Sequence, residues 1–125
     1  MAGVKLDGAG AQKMKTIEEA LLMIQKLHGL IERMAIEVKN QRGAGVFPMQ
    51  IKRTATPLQG FLKGQFGLLA DQVTQLILAT GRGGGDQLKV RLMREQIGQL
   101  RQALEIAATK VKEKHAVAIE TSDDA

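Results

Sequence analysis

From Asp86 onward, the apolar residues Val90, Met93, Ile97, Leu100, Leu104, Ala107 and Val111 recur at alternating steps of three and four. That spacing places them on one stripe of a helix, the a/d seam of a coiled coil. Polar and charged residues fill most positions between them. The pattern predicts a helix from Asp86, as N-cap, to about Ala118, and such a seam requires a partner surface.

Two further seams lie upstream. Ile17, Leu21, Ile24, Leu27, Ile31, Met34 and Val38 mark one face, widened by Ala20, Met23, Leu30 and Ala35. A face this wide serves at least two neighbours. Thr16 with Glu19 matches a capping box, so the helix is predicted to start at Thr16 and to stop near Asn40 to Arg42, before Gly43 and Gly45. Residues 1–15, rich in Gly and Ala without periodicity, are predicted to be a flexible tail, and residues 119–125 a frayed one. The remaining seam comprises Leu58, Leu62, Phe66, Leu69, Val73 and Leu76. Thr56, Pro57 and Gln59 predict its start, and Gly81 its C-terminal cap. The alternative is one long helix from about Pro48, kinked at Pro57. Whether Val46 to Ala55 is helical stays open between these readings.

Three seams predict an all-α chain, three long helices in an antiparallel bundle spanning residues 16–118. Helices of about 38 to 50 Å are long for so small a domain. A bundle of three such rods is thin, and self-association is expected to complete its core.

Composition narrows the picture. With 125 residues the chain is one domain, and with 2% aromatic residues and no Trp or Tyr its core must be built from aliphatic side chains and Met. The same shortage argues against a single-strand nucleic-acid platform, which stacks bases on aromatic rings. The absence of cysteine removes disulfides, thiolate metal sites and thiol catalysis. No apolar run reaches membrane-spanning length and residues 1–15 carry no signal-peptide core, so the expected location is cytoplasmic. The net charge of +5 favours an acidic partner.

Most of that charge lies between Lys52 and Arg94, where seven basic residues face only Asp71 and Asp86. Arg91, Arg94 and Arg101 flank the last seam at steps of three and seven, with Lys89 beside them. Arg82 lies in the preceding glycine turn, and Lys52 and Arg53 are expected toward the far end of the second helix. Together they predict a basic stripe able to bind phosphates by counterion release. The competing reading is a solvated face whose arginines pair with Glu95, Glu105 or acids of the first helix.

Gly60, Gly64 and Gly67 lie four and three residues apart, on one face of the predicted second helix. Each costs up to about 1 kcal/mol relative to Ala in a helix interior. Close approach of another helix would explain them; a loosely formed helix, a solvent-facing stripe or a ligand contact are the alternatives. The turn Gly81 to Gly85 lacks the Lys-Ser/Thr ending of a phosphate loop and the third glycine of a dinucleotide loop, so it reads as an interhelical hinge.

No catalytic constellation emerges. His28 and Glu32 lie one turn apart without the second pair of a di-metal site, His115 has no carboxylate at helical spacing, and the one serine, Ser122, lies in the tail. No cofactor or metal is expected. The leading expectation is a non-enzymatic, self-associating adaptor or assembly subunit packing through Gly60, Gly64, Gly67 and the seam Val90, Met93, Ile97, Leu100 and Leu104. The second is a nucleic-acid accessory protein using Lys52, Arg53, Arg82, Lys89, Arg91, Arg94 and Arg101.

Overall fold

The computed structural model describes residues 5–117. In chain order these form β1 (Lys5–Leu6), α1 (Gly8–Lys39), α2 (Phe47–Lys63), α3 (Gly67–Thr80), α4 (Asp86–Lys114) and β2 (Ala116–Val117). The described residues thus hold four helices where the seams predicted three. The expected frayed tail at residues 119–125 lies outside them.

The extra helix comes from a turn at Gly64–Phe66. Gly64 caps α2, and the amides of Gln65 and Phe66 donate to the Leu62 carbonyl at 3.2 and 2.7 Å. A continuous helix would keep the seam of α3 in line with that of α2. The turn instead folds Leu69, Val73 and Leu76 back onto Ile51, Leu58 and Leu62, burying both seams together. The glycines make this cheap, because they contribute little to helix stability where the chain breaks.

At its N-terminal end α2 starts at Phe47, well before Thr56, and runs through Pro57. This resembles the long-helix alternative at its start but not at its end. An internal proline costs about 3 kcal/mol through a missing hydrogen bond and a clash with the carbonyl four residues back. Pro57 and Arg53 are both exposed, so water can reach the freed Arg53 carbonyl. Ile51, Ala55, Leu58 and Leu62 are fully buried on either side. At roughly 1.5–3 kcal/mol for each large side chain, that burial outweighs the proline.

Helix α1 begins at Gly8, two turns before Thr16. Its N-cap is Asp7, whose carboxylate accepts from the Gly10 amide at 2.7 Å. Thr16 is an interior residue with its hydroxyl 3.1 Å from the Gln12 carbonyl and 2.6 Å from Gln65 Oε1. Residues 5–15, expected as a tail, therefore hold β1 and the first turns of α1. At the other end the Arg42 and Gln41 amides donate to the Glu37 and Val38 carbonyls, a Schellman closure. Gln41 stands there at φ 60°, where glycine is usual.

Local ties fix the directions of the helices. Thr16 meets Gln65, so α2 returns along α1. The Asp86 carboxylate accepts from the Ala44 amide at 3.2 Å, so α4 starts beside the end of α1. Gly85 is the N-cap of α4, which corrects the expected capping role of Asp86. Each helix then runs antiparallel to its two neighbours, in the ring α1, α2, α3, α4. The axis is filled by Ile24, Leu27, Ile31, Leu58, Leu76 and Met93, all fully buried. No helix among the described residues is long and apolar enough to cross a membrane.

α1 and α4, with 32 and 29 residues, outreach α2 and α3, with 17 and 14. Their projecting ends are clasped. β1 and β2 pair antiparallel, Lys5 opposite Val117 and Leu6 opposite Ala116. The Asp7 amide donates to the His115 carbonyl at 3.1 Å, and His115 Nδ1 lies 3.1 Å from the Asp7 carboxylate. The Gly10 amide, and then His115, hold the Asp7 carboxyl below its usual range. His115 is thus paired through the fold, with a carboxylate 108 residues away and not at helical spacing.

Gly10 is required at this crossing, since a methyl group there would run into His115 Cβ. Gly10→Ala should lower the stability of the protein by about 1–3 kcal/mol through overpacking. Thermal melts check the loss, and weakened amide protection at His115 and Ala116 would locate it.

Candidate functional site

The turn at Gly64–Phe66 rearranges the basic residues. With α2 and α3 folded back on each other, Lys52 and Arg53 in the first two turns of α2 lie at the same end of the bundle as Arg82, in the α3–α4 turn. Lys89 and Arg91, in the first two turns of α4, share that end. The expected stripe, with Lys52 and Arg53 far from the turn, becomes a set that shares one end of the bundle, with α2 and α4 diagonal in the ring. Among the described residues none of these five side chains makes an ion pair.

Two of the nearby acids are already engaged. Asp86 accepts from Ala44, and Glu37 takes two hydrogen bonds from Arg42, each 2.8 Å. Two shallow depressions open beside the cations, one lined by Met49, Lys52, Arg53, Thr56 and Pro57, the other by Gly85, Gln87, Leu88 and Arg91. This end can hold an anion by charge; the Thr56 hydroxyl beside it donates to the Lys52 carbonyl at 2.7 Å. Among the described residues, no three His, Asp or Glu side chains converge as a metal site would require.

Arg94 and Arg101 stand apart. Arg94 is bidentate on Glu32 of α1, with Nε and Nη2 at 2.8 and 2.7 Å from the two carboxylate oxygens. That pairing follows the competing reading, and it commits Glu32 to a cation. His28, one turn earlier, has its Nδ1 shielded from solvent without a hydrogen-bond partner. Arg101 is exposed ten residues beyond Arg91, about 15 Å farther along α4.

The packing residues divide similarly. Val90, Met93, Ile97, Leu100 and Leu104 are buried within one chain, where α4 meets α1 and α3. Gly60, Gly64 and Gly67 do not share one helix: Gly60 is inside α2, Gly64 caps it, and Gly67 opens α3. A methyl group on any of them would meet nothing within 4 Å. They mediate no close helix approach inside the chain; the reason is the turn, which leaves them on its outer side.

Sequence reasoning missed a groove beside that turn. Phe66 and Leu68 on one side and Ala103, Ile106 and Ala107 of α4 on the other line a depression of about 450 Å³. The closely spaced Gly64 and Gly67 around Phe66 were the available signal, since they mark a break as readily as a helix stripe.

Comparisons of the chain with protein-family models, curated proteins and solved structures found no match. The roles of these residues therefore rest on geometry and chemistry.

The Glu32–Arg94 pair gives a quantitative check. Its side chains are 37% and 51% exposed, so solvent screening limits it to about 0–1 kcal/mol. Hydrogen bonds from Arg94 hold the Glu32 carboxyl below its usual value of 4.5. A depressed carboxyl stabilises the fold above that value and loses the contribution as pH falls through the lower, folded one. Arg94→Gln should therefore remove less than about 1 kcal/mol at pH 7 and progressively less on acidification. Urea melts at pH 7 and below pH 4 measure both.

Proposed function

We propose that the chain is a non-enzymatic helical adaptor or assembly subunit that works through protein–protein contacts and self-associates. The observation that carries this reading is the outward face of α2. Met49, Pro57 and Phe61 are exposed there, with Val46 at its start, Gly60 and Gly64 beside them, and the charges Lys52 and Arg53 in the same depression as Met49 and Pro57. Bare glycines on an apolar helix face allow a second helix to approach closely, and an exposed patch of this kind favours association. The seam of α4 is buried in the monomer, so the support for self-association comes from α2 and not from an incomplete core.

Sedimentation velocity over a wide concentration range should show a dimer or larger species. Because space at Gly60 is open, Gly60→Leu should leave the melting temperature equal or higher, by the removal of up to about 1 kcal/mol of glycine cost. It should also shift the protein to monomer by obstructing the face. A parent chain that is monomeric throughout would sink the reading.

The gathering of Lys52, Arg53, Arg82, Lys89 and Arg91 at one end favours a second reading, a nucleic-acid accessory protein that binds phosphates without reading bases. Converting the five to Gln should weaken binding of unrelated duplex DNA and RNA sequences alike. It should also reduce the salt slope by about 0.9 for each duplex phosphate that the variant no longer neutralises. Fluorescence anisotropy at two salt concentrations tests this; absence of binding by the parent near physiological salt would overturn it.

A further inference from the structure

The groove beside the α2–α3 turn is a consequence of unequal helix lengths. α3 starts at Gly67, while α1 and α4 continue past it, so the outer side of α4 from Ala103 to Lys114 has no helix laid along it there. The depression between Phe66, Leu68, Ala103 and Ile106 continues into a second of about 210 Å³, sharing Phe66, Ala107 and Lys110 with it. Together they run along α4 for about 16 Å, three helical turns.

The groove has an apolar floor and a basic rim. Leu68 is 83% exposed and Ile106 50%, so two large aliphatic side chains stand open to solvent along the groove. Lys13, Lys110 and Lys114 line the edges, and no carboxylate lines either depression. Two shielded polar atoms without hydrogen-bond partners belong to lining residues, Gln72 Oε1 and His115 Nε2.

We infer that this groove is a docking site for an acidic amphipathic helix of another protein. Its apolar stripe would cover Leu68, Ile106 and Phe66, and carboxylates on its flanks would meet Lys13, Lys110 and Lys114, the helix-in-groove mode of recognition. Charge complementarity decides the occupant. A second copy of this chain carries a net charge of +5, so it matches the lysines poorly. The groove is separate from the outward face of α2, so the inference stands or falls independently of self-association.

The probe is a capped peptide of about four helical turns with leucine along one face and glutamate elsewhere. Its control is the same peptide with lysine replacing glutamate. Titrated into the full chain labelled with nitrogen-15, the glutamate peptide should shift the amides of Leu68, Ile106 and Lys110. It should bind at least about tenfold more tightly than the lysine peptide. Leu68→Asp with Ile106→Asp should abolish binding at an unchanged melting temperature. Lys13→Glu, Lys110→Glu and Lys114→Glu together should reverse the preference between peptides. Equal binding of the two peptides, shifts located elsewhere, or no shift with either would overturn the inference. So would a change in oligomer size in the Leu68→Asp, Ile106→Asp variant, which would assign the groove to a second copy.

Discussion

The break in the helical path at Gly64–Phe66 is the constraint on which the other features depend. It converts one long seam into two short ones that face each other, and four helices then surround an axis that three would enclose only thinly. It shortens α2 and α3 relative to α1 and α4, which exposes the side of α4 that forms the groove. It also returns the chain to the end where it entered, which places the cations of α2 at the same end of the bundle as those of α4. The local cost is small, because glycines flank the turn and Phe66 remains half-buried against the core.

The electrostatics follow from that topology and not from proximity in the sequence. Lys52 and Arg82 are thirty residues apart yet share one end of the bundle, whereas Arg94, three residues from Arg91, is tied across to Glu32. Its bidentate geometry gives direction to the α1–α4 packing more than stability, as expected for a pair open to water. At the opposite end Asp7 serves both helix termini. It caps the amides of α1 and faces His115 at the C-terminus of α4.

Much of the helical content was legible because burial preserves periodicity. Ile17, Ile24, Leu27, Ile31 and Met34, like Val90 to Leu104 on the last seam, are buried at the positions their spacing marks. The breaks were less legible for equally physical reasons. Leu58, Leu62, Phe66 and Leu69 keep helical spacing straight through the turn, so the apolar pattern conceals it. The Thr16–Glu19 motif fits a capping box but lies inside a helix whose true cap, Asp7, precedes the weak helix formers Gly8 and Gly10. The basic residues were visible as types, but their placement at one end of the bundle required the turn. The groove required both the turn and the unequal helix lengths, and neither is encoded in any single spacing.

The pairing of β1 with β2 gives the bundle a nearly circular chain. Three of its four sides are joined by covalent turns; the fourth, between α4 and α1, is joined by two short strands with Lys5 opposite Val117. Every helix therefore has a connected neighbour on each side, and the ring has no structurally privileged first element. A short covalent link between residues 5 and 117 would close that fourth side without altering any helix. The chain could then be opened at the exposed Gly83–Gly85 turn, since surface turns tolerate new ends and adjacent termini tolerate joining. In that permuted form α4 would lead and α3 would close the same ring.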